Sequence, residues 1–118
     1  MSGEATLAWV AEALDDHGRV THRRMMGGWT LYLGGVIFAI IDRDGGLWFK
    51  SDAVSDADWD EAGCERFGYD RDGTPATMNY RRAPDATYDD AEELARCALL
   101  GVEAGMRGAR KPPRKPVR

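Results

Sequence analysis

Apolar positions change period along this chain, and the changes mark its elements. Between residues 4 and 16, Leu7, Val10, Ala11 and Leu14 recur at helical spacing and predict an amphipathic helix, with Trp9 at the edge of its face and Gly18 as its stop. Val20 to Arg24 shows no apolar alternation and reads as an approach segment. The stretch from Arg23 to Lys50 then reads as three antiparallel strands joined by two glycine turns. In the first strand Trp29, Leu31 and Leu33 face one way and Thr30 and Tyr32 the other. Gly34-Gly35 supplies the positive φ angles of a two-residue hairpin. Val36 to Ile41 is apolar on both faces, as in a central strand. Asp42 to Gly46 forms the second turn, and Leu47 to Ser51 the third strand.

Asp52 to Gly63 predicts a short helix, with Ser55 and Asp58 spaced as a capping box and Trp59 as its apolar contact. Two alternating pieces, Glu65–Asp70 with Phe67 and Tyr69 on one face and Thr77–Arg82 with Met78 and Tyr80 together, predict a second hairpin. The longest helix follows, capped by Asp89 or Asp90, with Leu94, Ala95, Ala98, Val102 and Met106 as its inward stripe and Leu99 beside it. Gly101, Gly105 and Gly108 weaken its last turns by about 1 kcal/mol each relative to Ala and predict a frayed end. The expected fold is therefore α+β and two-layered, in the order helix, three strands, helix, two strands, helix, around a five-stranded, mainly antiparallel sheet. Residues 1–106 form one domain and residues 107–118 a basic, proline-rich flexible tail.

Charge refines that division. The formal net charge is −4 over 118 residues, yet Arg107, Arg110, Lys111, Arg114, Lys115 and Arg118 lie beyond the last acid, Glu103. The body consequently carries a strong negative excess, which disfavours broad contact with a phosphate backbone, and the tail alone offers a nucleic-acid contact. Cys64 and Cys97 show no metal-ligand spacing with each other or with His17 and His22, so no metal and no cofactor is expected. Cys64, among charged residues after a helix stop, reads as a structural or incidental cysteine rather than a reactive semi-exposed thiol, and Cys97 as partly buried. No apolar run reaches the length of a membrane helix and the start lacks a leader pattern, so a cytoplasmic protein with no membrane partner is expected.

Several pieces together resemble the N-terminal domain of the TfoX (Sxy) family. They are Arg23-Arg24-Met25-Met26-Gly27-Gly28, Leu31-Tyr32, Phe38-Ala39, Leu47-Trp48-Phe49-Lys50, Ala62-Gly63 with Phe67, Met78-Asn79-Tyr80 with Pro84, and the Leu/Ala-rich helix from Leu94 to Ala104. Met26 stands where that family usually has Phe, and Trp48-Phe49 where it has Tyr-Leu. The resemblance covers about residues 4–106. It implies an α+β fold of the secretion-chaperone kind and a non-enzymatic regulatory or adaptor role; in that family the role is positive regulation of competence genes. Regulators of that family carry a second, helical domain, whereas this sequence has a basic tail there, so a standalone domain is expected.

Candidate chemistry is sparse. Gly27-Gly28 reads as a turn rather than a phosphate cradle, because Trp29 and a strand follow instead of Lys, Ser or Thr and a helix. Arg23, Arg24, Arg81 and Arg82 are two basic pairs that form either an anion or acidic-peptide site or a solvated edge. Together with Trp29 they are the candidate partner contacts, for an unidentified protein or for a second copy meeting at a sheet edge. The alternative function is a nucleic-acid-associated accessory using the tail and the arginine pairs. Nothing at readable spacing joins a nucleophile, a base and an oxyanion site, so no enzyme is expected.

Overall fold

The structure is a computed structural model that describes residues 2–25 and 27–110. Helix α1 spans Gly3–Ala13, and a single 3-10 turn, Asp15–His17, leads into β1, Val20–Met25. Then come β2 (Gly28–Leu33), β3 (Val36–Ile41), β4 (Leu47–Lys50), α2 (Asp56–Glu61), β5 (Arg66–Arg71), β6 (Thr74–Arg82), a second 3-10 turn at Asp85–Tyr88, and α3 (Ala91–Arg110). The sheet has the order β1-β2-β3-β4-β6-β5, with every neighbouring pair antiparallel. It is thus six-stranded rather than five-stranded. The added strand is β1, whose residues 21–24 are all exposed; an edge strand that buries little leaves no apolar alternation to read.

The three strands from Gly28 to Lys50 stand side by side as expected. Gly34 and Gly35 both take positive φ, 57° and 83°, and turn β2 into β3. Beyond the turn, Leu31 pairs with Ala39 and Tyr32 with Ile37, so Phe38 is bulged. The bulge puts Phe38 and Ala39 on one face and Ile37 and Ile40 on the other. That is how a short strand supplies two cores. The next turn is held by Asp42, whose Oδ1 accepts the backbone N–H groups of Asp44 and Gly46, both at 2.9 Å.

All three helices cover one face. Leu31, Phe38, Ile41, Leu47 and Phe49 of the sheet meet Val10 of α1 and Leu14 at its C-cap, Trp59 of α2 and Leu94 of α3, all essentially fully buried. Trp59 stacks on Phe49 with ring centroids 5.8 Å apart. Thr6 ties α1 to the β3–β4 turn by donating to Gly45 O at 2.8 Å, and Trp9 Nε1 donates to Thr87 O at 2.8 Å. Ser55 does not cap α2 through its side chain: Asp52 Oδ1 accepts its N–H instead, at 3.0 Å. Asp90 caps α3 by accepting from Glu92 and Glu93 N–H.

Helix α3 turns Leu94, Ala95 and Ala98 inward as expected, with Val102 partly buried against the core, but its last turns present small residues where Met106 was expected. Leu94, Cys97, Ala98, Gly101, Ala104 and Gly105 are buried, whereas Leu99 and Met106 are 44% and 38% exposed. The inward stripe is made of small residues because the backbones nearly touch. A Cβ on Gly101 would stand 2.4 Å from Phe38 O, and one on Gly105 would stand 2.0 Å from Ile37 O. These glycines are contact points with β3 rather than signs of a frayed end.

A groove on the helix-free face

Strand alternation gives the face opposite the helices its own side chains. Ile40, Trp48 and Tyr80 form a second buried cluster there, packed against by Met25, Ile37, Phe67 and Met78. Among the described residues no helix lies over them. The twisted sheet curls instead, so that Met25 from β1 and Phe67 and Tyr69 from β5, its two outermost strands, rim one groove of about 580 Å³. Ile40, Trp48 and Met78 line its floor and walls, and Asp42, Arg43 and Asp44 stand at one end. A smaller depression of about 360 Å³, over Asp44, Gly45, Gly46 and Tyr88, offers a single ring and turn backbone.

Trp48 is fixed on every side. Its Nε1 donates to Asp42 Oδ2 at 2.8 Å, the Arg82 guanidinium lies 4.5 Å from its ring, and Phe67 meets it edge-on at 4.8 Å and 78°. Each contact restricts a rotamer, so an incoming side chain meets an aromatic wall already in place. Further along the same face, the Lys50 ammonium lies 5.2 Å from the Tyr80 ring. Burial lowers the pKa of Lys50, with the charge of Asp52 opposing it, and burial raises that of Tyr80.

The arginine pairs do not form patches. Neighbours on a strand point to opposite faces, so Arg81 shares the helix side with Phe49, and Arg82 the groove side with Trp48. Arg81 is 3% exposed and donates to Asp60 Oδ1 at 2.7 Å, to Cys64 O at 2.9 Å and to Asp56 Oδ1 at 3.1 Å. It is an internal strut rather than part of a solvated edge. Arg82 pairs with Glu65. Arg23 and Arg24 lie on β1, separated from β6 by β2, β3 and β4, so the two pairs belong to non-neighbouring strands. Arg24 sits 5.3 Å from the Trp29 ring. Trp29 is half-buried on the helix side against the first turn of α1, where a Cβ on Gly3 would strike its ring at 2.3 Å.

Arg107 belongs to α3 rather than to a flexible tail, and binds both oxygens of Asp52, donating from Nε to Oδ2 and from Nη2 to Oδ1, the latter at 2.9 Å. The Arg107 hydrogen bond is the main reason that the Asp52 carboxyl titrates well below the usual carboxylate range; desolvation opposes it and Ser55 donors assist. Arg110 ends the same helix, with its side chain outside what is described; Lys111, Arg114, Lys115 and Arg118 lie outside the described residues altogether. Cys64 is buried, and Cys97 wholly so, where partial burial was expected. Burial raises both thiols, Cys97 to about 12. Among the described residues no helix is long and apolar enough to cross a membrane.

Met25, Trp48, Phe67 and Met78 were not singled out as a site by sequence reasoning. Their readable signal was Val36 to Ile41, apolar on both faces and so in need of two coverings. Comparison with known proteins points the same way as the fold. A family profile described as TfoX N-terminal domain matches residues 12–105. A curated protein described as DNA transformation protein TfoX1, from Aliivibrio fischeri, is 38% identical over 63 residues, a stretch that is 53% of this chain and 30% of that protein.

Proposed function

The chain belongs to the TfoX N-terminal domain family, and from that premise we propose that it is a non-enzymatic regulatory domain acting by protein contact through the groove on its helix-free face. The observation that carries the reading is an apolar groove, lined by the partly buried Met25, Phe67 and Met78 over a fixed Trp48, that no element among the described residues fills. Protein contact sites concentrate their energy in such aromatic anchors, because little rotamer entropy remains to be lost on binding. The matched relative is named for DNA transformation, and the chain spans about a third of its length, so regulation of competence is the process to test first. The nucleic-acid reading has less support: Arg81, Arg82 and Arg107 are each engaged with carboxylates.

The test is genetic, with a biophysical control. Met25→Glu with Met78→Glu puts two charges in the groove at partly buried positions. Purified, the double variant should keep its circular dichroism and a cooperative melt. In the host it should reproduce the transcript changes and the transformation frequency of a deletion strain. A folded double variant that behaves like wild type would remove the groove from the function. A deletion strain with unchanged transformation would remove competence.

A further inference from the structure

We propose that two copies of this chain pair antiparallel along β5, about a twofold axis through Gly68, to make one continuous sheet. The inference stands on the β5 edge rather than on the groove reading, and its test reads association, so either can fail alone.

Strand β5 is an outer strand, bonded to β6 on one side only, and residues 68–71 are exposed. A twofold axis normal to the sheet keeps helix face with helix face. In such a pairing one residue must sit on the axis opposite itself, which leaves few registers. With Gly68 on the axis, Phe67 faces Tyr69 of the second copy, Arg66 faces Asp70, and Glu65 faces Arg71, and symmetry repeats each pair. Every charge meets its opposite and the aromatics meet each other. Moving the axis to Phe67 sets Arg66 against Gly68 and Glu65 against Tyr69. Moving it to Tyr69 sets Phe67 against Arg71. On the other open edge, β1, centring the axis on Arg23 sets that residue against itself and His22 against Arg24, and no register pairs opposite charges because β1 carries no acid.

Gly68 supplies a second argument. Its φ is not positive, and a Cβ built on it would meet only Ala76 O, at 3.9 Å. The β5–β6 turn takes its left-handed residues from Asp72 and Gly73 instead. A single copy therefore has no steric need for glycine in mid-strand, where glycine weakens pairing and often marks the approach of another backbone. The side chains are available. Tyr69 is 38% exposed. Arg66 binds Asp56 at 3.2 Å and Asn79 Oδ1 at 2.9 Å, with donors of its five left over. Asp70 Oδ2 accepts from Gly73 N–H at 3.2 Å, leaving Oδ1. Phe67 already stands against Trp48, so Tyr69 of the second copy would extend that aromatic row and lengthen the groove.

Sedimentation velocity over a concentration series should show wild type dimerising. Asp70→Arg should weaken association at least about tenfold, because like charges replace opposite ones at both symmetric pairs. Arg66→Asp should do the same, and an equal mixture of the two variants should regain the dimer, since only the mixed pair matches charges at both positions. Should Arg66→Asp not fold, Gly68→Cys decides. Two such residues on the axis fall within disulfide reach and should cross-link on mild oxidation, whereas Thr77→Cys, one strand further away, should not. A wild type monomeric throughout, an Asp70→Arg protein that still dimerises, or a Gly68→Cys protein that does not cross-link would overturn the proposal.

Discussion

Arg81 and Arg82 are adjacent, yet one is a strut and the other a surface clamp, because a strand sends consecutive side chains to opposite faces. For Arg81 the result is a guanidinium almost out of water with Asp56, Asp60 and the Cys64 carbonyl around it. It ties α2, the chain after α2 and β6 together at one point. Truncating it strands those acceptors. Removing one partner of a buried ion pair costs about 3–5 kcal/mol, and since the Asp60 side chain is 68% exposed the cost here should fall nearer 2–3 kcal/mol. Urea unfolding of Arg81→Met should show that loss with an unchanged m-value. A loss under about 0.5 kcal/mol would mean that the strut contributes nothing net, as exposed pairs commonly do. Residue identity gave no warning of this role. The dipeptide reads as a basic patch until the facing of β6 is known.

At the scale of elements, what could be read depended on how each element announces its buried side. The hairpin at Gly34-Gly35 and the strands around it were legible, because the turn needs left-handed residues and β2 alternates. The β1 strand was not, since four exposed polar residues in a row carry no period. Helix α3 was legible as a helix and, over Leu94, Ala95 and Ala98, as a face. Its last turns were not, because they face inward with Gly101, Ala104 and Gly105, and a search for large apolar residues slides toward Leu99 and Met106 instead. This gives two glycine substitutions of opposite sign. Gly105→Ala adds a methyl 2.0 Å from Ile37 O and 2.9 Å from Val36 Cγ1, so α3 must lift away from β3. The overpacking should cost about 1–3 kcal/mol despite the better helix propensity of Ala. Gly108→Ala meets nothing within 4 Å and should stabilise by up to about 1 kcal/mol. Thermal melts of the two variants should move apart, the first down and the second up. Movement in the same direction would refute close packing as the reason for Gly105.

For the whole molecule, the two faces of one sheet divide the labour: helices close one, and the other is left as a groove. The helix layer is closed at its far end by Arg107, which reaches from the last turns of α3 to Asp52 just after β4. This tie should leave a signature in acid. A carboxyl whose folded pKa is depressed adds stability that is fully present above its unfolded value, near ~3.9. That stability is lost as the pH falls through the folded value. Asp52 is such a group, held low chiefly by Arg107. Arg107→Met removes the cause, so wild type should be the more stable protein at neutral pH, and the gap should narrow as the pH drops below about 4. Both side chains keep some contact with water, 24% for Asp52 and 33% for Arg107, so added salt should shrink the neutral-pH gap as well. Equilibrium unfolding of both proteins from pH 7 down to pH 2 decides it. A gap that stays constant across that range would show that Arg107 acts through the packing of its stem, and that the charge of Asp52 plays no part in closing the layer.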